Sequence, residues 1–130
     1  MSKPSKQKLA LSIILGICII LSIYIYVETA PPPNGTYDAF ARCIAGTSTT
    51  FYGAWWCPHC AAQKTEFGDA AKYLPYVECA LPNTAENATC TAIGIKSYPT
   101  WYFPGGASST GVQTIATLAK ETGCAVPTST

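Results

Sequence analysis

Histidine, methionine and charge are all scarce in this chain. Of 130 residues, one is histidine (His59), one is methionine (Met1) and 12% are charged. The 8 basic and 7 acidic side chains leave a net charge of +1. No basic stripe exists beyond the first eight residues, which argues against a nucleic-acid partner. Zinc needs four ligands, usually as two close pairs. The chain has a single Cys-x-x-Cys, Cys57-Pro58-His59-Cys60, and its lone histidine lies inside it. No metal site is expected. There is no internal repeat. What is abundant is cysteine: 7 residues in so short a chain suggest an oxidising compartment.

The charges that exist are placed unevenly. Residues 1–8 carry Lys3, Lys6 and Lys8 and read as a cytoplasmic N-terminus. Residues 9–27 then hold 19 positions without a charge, rich in Ile and Leu. As a helix they extend about 28 Å, close to the hydrocarbon thickness of a bilayer. Tyr24 and Tyr26 sit at the far end, as interfacial aromatics do. The preceding lysines hold the N-terminus inside and send the remainder across, so a single-pass cell-membrane anchor with a periplasmic or extracellular C-terminal domain is expected. A cleaved signal peptide is the rival. The run is long for one and no A-x-A site follows, since cleavage after Ala30 would put Glu28 and Pro31 at poor positions. Cys18, mid-span, reads as a small apolar membrane residue. Residues 28–35, with Pro31-Pro32-Pro33-Asn34-Gly35, form a stiff extended spacer.

One small domain is expected over residues 36–124, with a disordered tail at 125–130. Tyr37, Phe40, Ala41 and Ile44 have helical spacing within 36–45. A strand covers 49–54. A helix starts at Pro58, whose fixed φ suits a first turn, and runs to about Tyr73, where Leu74-Pro75 breaks it. A strand at 76–81, a turn at 82–84, a helix at 85–93, an aromatic strand at 96–104 and a weak strand at 110–112 follow. Thr114 caps a last helix through Glu121, and Gly123 stops it. The order α-β-α-β-α-β-β-α predicts an α/β domain with a central sheet.

The chemistry lies at the junction of the first strand and the second helix of that domain. Cys57 falls at the helix N-terminus, where free N–H groups and the dipole favour a thiolate, the form that attacks disulfides. Cys60, one turn in, is placed to resolve the mixed disulfide. An inert staple is the plain alternative. His59 lies between the two cysteines; an imidazolium or ring N–H there favours the reduced form and makes the disulfide more oxidising, unless it is simply a surface histidine. Of Trp55 and Trp56, one is expected beside the motif and the other in the core.

Phe51-Tyr52-Gly53-Ala54-Trp55-Trp56-Cys57-Pro58-His59-Cys60, with Gln63-Lys64, Phe67-Gly68, Leu74-Pro75-Tyr76-Val77-Glu78-Cys79, Gly94-Ile95, Tyr98-Pro99-Thr100-Trp101 and Leu118-Ala119 before Thr122-Gly123, resembles a thioredoxin-fold oxidoreductase. It is similar to the domain that accompanies bacterial and plant vitamin K epoxide reductase homologues. The resemblance covers residues 36–124. It implies a thioredoxin-like fold, a central mixed sheet flanked by helices, here preceded by one transmembrane helix. It implies Cys57 and Cys60 as catalytic thiols, with Pro58 and His59 tuning them toward the oxidising direction. It implies a cis Pro99 against the thiol pair, and substrate contacts from Tyr98, Pro99 and Trp56. A vitamin K epoxide reductase-like quinone-dependent membrane enzyme is then the expected reoxidant, separate from this one-span chain, and thiols of exported proteins are the expected substrates. No cofactor of its own is expected. One departure is clear. Six residues before its first active-site cysteine, thioredoxin has a buried Asp, and this chain has Phe51. That puts efficient reductase behaviour in doubt. Glu78 on the next strand is a possible substitute, although a solvated or edge carboxylate is the plainer expectation.

Fixing Cys57 with Cys60 leaves three pairings for Cys43, Cys79, Cys90 and Cys124. Cys79 ends a strand and Cys90 follows in a helix, so a bridge there closes a short loop, contributing about 3 kcal/mol in the chain-entropy model. Cys43 and Cys124 then remain as the second pair. The alternative uses Cys79 and Cys90 as a second redox relay. Asn34 and Asn87 head Asn-x-Thr glycosylation triplets. Two rival functions stay open: a reductase or isomerase of the same fold, and a non-enzymatic copper carrier or adaptor using the two thiols. The lack of Met or further His near the motif weakens the copper reading.

Overall fold

A computed structural model describes residues 6–29, 35–83 and 85–127. They fall into two compact units divided between Ala30 and Pro31. The first is helix α1, Lys6–Thr29. Its segment Gln7–Val27, 21 residues with mean hydropathy 2.6, is long and apolar enough to cross a membrane. Two of its hydroxyls are satisfied within the helix: Ser12 Oγ donates to the Lys8 carbonyl (3.1 Å) and Ser22 Oγ to the Cys18 carbonyl (2.8 Å). Thr29 is still helical, so the expected spacer is shorter than 28–35. Its proline run, together with Asn34, lies outside the described residues.

In the second unit the chain runs α2 (Asp38–Ala45), β1 (Thr50–Gly53), α3 (Pro58–Phe67), β2 (Tyr76–Glu78), α4 (Ala88–Ile93), β3 (Thr100–Tyr102), β4 (Ser108–Thr110) and α5 (Ile115–Thr122). The sheet order is β2-β1-β3-β4. β1 pairs with β2 in parallel and with β3 antiparallel; β4 is antiparallel to β3. This is a mixed four-stranded sheet in an α/β unit.

Several elements are shorter than the residue pattern predicts. The helix after the Cys-x-x-Cys ends at Phe67, not Tyr73, because Gly68 adopts φ 55° and the chain continues as a 3₁₀ segment, Gly68–Tyr73. The helix expected over 85–93 starts at Ala88, since Ala85 and Glu86 close a small hairpin against Ala80 and Leu81. Asn87 caps α4 by accepting from the Thr89 N–H (2.9 Å). The last strand is Ser108–Thr110, placed two residues earlier than expected by its pairing with β3. Thr114 caps α5 and Gly123 ends it at φ 72°. After Cys124, residues to 127 have no regular structure, and 128–130 lie outside the described residues.

Strand alternation sends Phe51, Tyr76 and Trp101 to one face of the sheet and Tyr52, Val77 and Tyr102 to the other. On the first face they meet Phe40, Ile44, Phe67 and Leu118 from α2, α3 and α5. Phe51 stacks on Trp101 with centroids 4.5 Å apart, and Phe40 on Phe67 at 5.9 Å. The second face carries a smaller cluster around Cys79, Cys90 and Ile95. Disulfides join Cys79 to Cys90 and Cys43 to Cys124. The second spans 81 residues and ties α2 to the chain after α5. A loop of that length is worth about 4.5 kcal/mol in the chain-entropy model. A unit this small has little core to spare, so the two staples are a large share of its stability.

Candidate functional site

β1 delivers the chain to the site. Gly53 ends the strand, Ala54 is buried, and the Cys57 N–H donates back to the Ala54 carbonyl (3.0 Å) to form the turn. Cys57 is the N-cap of α3 with extended backbone, and Pro58 takes the first helical position. The Cys57 sulfur therefore receives the Cys60 N–H, at 3.3 Å, as a capping oxygen would. Cys57 is 5% exposed and Cys60 2%. Cys57 Sγ also lies 3.6 Å from the Tyr98 carbonyl, to which its S–H donates. The Tyr98–Pro99 peptide is cis. The site thus joins the start of α3 to the loop entering β3, which meet because β1 and β3 are neighbours.

Cys60 sits deeper. Burial pushes its thiol up from 9.0 to about 12, reinforced by the hydrogen bond with Cys57 and opposed by the Ala54 backbone and Lys64. The wall behind it is Gly53 and Tyr76. A β-carbon on Gly53 would lie 2.7 Å from Tyr76 Cε2 and 2.9 Å from Cys60 Sγ. Only glycine lets the tyrosine ring and the thiol share that space. Gly53→Ala is expected to destabilise the protein by about 1–3 kcal/mol through overpacking. It should also shift the Cys57–Cys60 reduction potential, because Cys60 must move. Denaturant titration of the two redox forms checks this; an unchanged midpoint in both would refute it.

Tyr76 Oη donates to Glu78 Oε2 (2.8 Å), and Lys64 Nζ stands 3.4 Å over the Tyr76 ring. Burial and then the Glu78 carboxylate hold the Tyr76 hydroxyl well above its usual range. Glu78 lies on edge strand β2, as one of the two expectations had it, but is half-buried and engaged rather than solvated. Its Oε1 accepts from the Trp55 and Ala80 N–H groups, each at 3.0 Å, clamping the turn before Cys57 to β2. The expectation for the tryptophans also needs correction. Neither enters the core: Trp55 is 66% and Trp56 56% exposed, and the core slot belongs to Trp101. Trp56 instead packs edge-to-face on Tyr98 at 5.9 Å. His59 is exposed on the first turn of α3 and makes no hydrogen bond or ion pair among the described residues. The structure therefore brings Cys57, Cys60, Trp56, Tyr98 and Pro99 together and leaves His59 facing solvent.

Two residues at the site escaped the sequence reading. Tyr76 reaches Cys60 only because the parallel register sets it opposite Phe51. Gln63, apolar in neither size nor pattern, is fully buried on α3. Its amide accepts from the Gln113 N–H (2.7 Å) and Trp101 Nε1 (3.2 Å), and donates to the Gln113 carbonyl (2.9 Å) and Glu66 Oε2 (3.1 Å). All four of its hydrogen-bond positions are used, which locks the helix bearing both thiols to β3 and the segment after β4.

No family model matches the chain. Thiol-disulfide oxidoreductase LTO1 of Arabidopsis thaliana is 31% identical over 144 aligned positions, covering 91% of this chain and 38% of the relative. The chain thus spans well under half of that protein's length. A buried thiol pair at a helix N-terminus and a match along nearly all of its own length make this chain a homologue of a thiol-disulfide oxidoreductase.

Proposed function

We propose that the chain is a membrane-anchored, thioredoxin-like thiol-disulfide oxidoreductase acting outside the cytoplasm, which donates disulfides through Cys57 and Cys60. The observation that carries this reading is the Cys57 sulfur, capping α3 and facing the carbonyl before cis Pro99. A thiolate of an exported protein attacks Cys57 Sγ of the oxidised pair. The Cys57–Cys60 bond breaks, and Cys60 leaves with its electron pair and takes up a proton. A second substrate thiolate attacks the substrate sulfur of the mixed disulfide and releases Cys57. The substrate has lost two electrons and the pair has gained them. A vitamin K epoxide reductase-like membrane enzyme then removes two electrons and two protons to its quinone.

Two disulfides in the same unit support an oxidising compartment, and α1 supports attachment to a membrane. Phe51 stands where a reductase would have a carboxylate to deprotonate Cys60, and Glu78 is engaged with Trp55, Tyr76 and Ala80 instead. Both favour the oxidising direction. The test is the reduction potential of the pair, measured on the full chain in detergent against glutathione buffers. A value of roughly −120 to −180 mV is expected for a disulfide donor. A value near about −270 mV would reverse the electron flow and make the protein a reductase.

A further inference from the structure

A recess of about 200 Å³ is lined by Trp56, the chain neighbour of Cys57, and by Cys79, Ala80, Ala85, Glu86 and Tyr98. One wall is aromatic: Trp56, the residue before Cys57, packs edge-to-face on Tyr98, whose backbone carbonyl receives the Cys57 S–H. The opposite wall is the hairpin between Cys79 and Cys90. It is held by the Cys79–Cys90 bridge, by the Leu81 N–H to the Ala85 carbonyl (2.8 Å) and by the Asn87 N–H to the Cys79 carbonyl (2.7 Å). This hairpin carries Glu86 to the rim. Its carboxylate receives Tyr98 Oη (2.9 Å) and Thr91 Oγ1 (3.2 Å), so its position is set by two hydroxyls. Neither is a cation, and Glu86 has no ion-pair partner among the described residues. It remains an exposed, oriented negative charge over an aromatic wall.

That combination has one natural complement. A lysine or arginine lays its apolar stem along aromatic surface, presents its charge to the ring faces, and ends at a carboxylate. We propose that this recess selects substrate thiols by a basic side chain two residues from the reacting cysteine. Glu86 is then a specificity residue, held in place by the Cys79–Cys90 staple. The inference rests on the disulfide-donor reading above and adds the class of substrate that it prefers. Substrate side chains two positions apart on an extended strand share a face, so a residue near the cysteine can reach the recess while the thiol meets Cys57.

The test uses the oxidised full chain and two single-cysteine peptides, identical except for Lys or Glu two residues either side of the cysteine. Neighbouring charge also alters a peptide's own thiol, so each rate is normalised to that peptide's rate with a small neutral disulfide. The normalised Lys-to-Glu ratio is expected to be about five- to tenfold at low salt, from one exposed charge pair and one cation–π contact. It should shrink as salt rises. Glu86→Gln should bring the ratio near one, Glu86→Asp should retain part of it, and Glu86→Lys should invert it. If both peptides react with the wild type and the ratio is the same in Glu86→Gln, the recess does not read charge and the proposal is overturned. If neither peptide reacts with the wild type, the disulfide-donor reading itself fails, and this proposal with it.

Discussion

Cys57→Ser is expected to abolish disulfide transfer to a reduced protein substrate, and Cys60→Ser to hold the covalent adduct that forms when the Cys57 thiolate attacks a protein disulfide. Only Cys57 has a sulfur placed at the cap of α3 and beside the Tyr98 carbonyl. A serine there cannot form the mixed disulfide, so the loss should exceed about a hundredfold. With Cys60 absent, a mixed disulfide at Cys57 has no internal thiol to release it. Intact-mass measurement after incubation with a disulfide-bonded protein, whose bridge the Cys57 thiolate opens, should show adduct on Cys60→Ser and none on Cys57→Ser. Transfer by Cys57→Ser at more than a few per cent of the wild-type rate would remove Cys57 from the chemistry. Internal release in the wild type should accelerate about tenfold per pH unit through the neutral range. Burial, the main cause of the raised Cys60 thiol, persists in the mixed disulfide, and the thiolate fraction below such a pKa grows tenfold per unit. The linkage has a definite sign. Cys60 and Tyr98, both raised to about 12, and Tyr76, raised further, hold protons in the folded state that the unfolded chain has already lost. Their contribution to the stability of the dithiol form is complete below about pH 9 and is lost as pH rises toward about 12.

Gln63→Leu is expected to cost about 3–5 kcal/mol, a large part of the stability of a domain this size. The leucine fills a similar space but strands the Gln113 N–H, the Gln113 carbonyl and Trp101 Nε1, three partners that Gln63 now satisfies in the interior. Each buried polar group left without a partner costs about 1–3 kcal/mol. Glu66 loses its one stabilising partner as well. Burial already raises its carboxyl and the Gln63 amide holds it down, so the substitution should raise it further. Gln63→Glu keeps the shape but sets a carboxylate oxygen against the Gln113 carbonyl and Glu66 Oε2, and should cost at least as much as leucine above neutral pH. Chemical denaturation of the full chain, monitored by Trp101 fluorescence, gives the value. A loss below about 1 kcal/mol would mean the network is replaceable by water. Because the same amide binds α3 to β3, the leucine variant should also loosen the distance between Cys57 and Tyr98.

Much of this protein is local chemistry written along the chain. The unbroken apolar run that becomes α1, the Pro58 start of α3, the Thr114 cap and the Gly123 stop of α5 each act within a few residues, so their outcome is legible without knowing the fold. The Cys-x-x-Cys places one sulfur at the cap and one a turn inside for the same reason. Disulfide partners were narrower in choice than in proof: spacing favoured Cys79 with Cys90, and the fold brings their Cα atoms to 5.7 Å and those of Cys43 and Cys124 to 5.9 Å.

Tertiary structure decided what depends on which strands are neighbours. Three tryptophans have the same chemistry, yet only Trp101 is buried, because β3 lies beside β1 and stacks it on Phe51. Glu78 becomes a clamp on the turn before Cys57 because β2 lies on the other side of β1. Gln63 meets Gln113 across 50 residues of sequence, and Glu86 meets Tyr98 only once the hairpin closes. No periodicity records these contacts, since period tells which face a side chain takes and not what waits there. Local residue chemistry set the kinds of element, the Thr114 cap, the Gly123 stop and the placement of the thiol pair, while several element ends moved with the packing. The packing of β1 between β2 and β3 determined how deeply Cys60 is buried and what stands behind it, because those are properties of distance in space rather than along the chain.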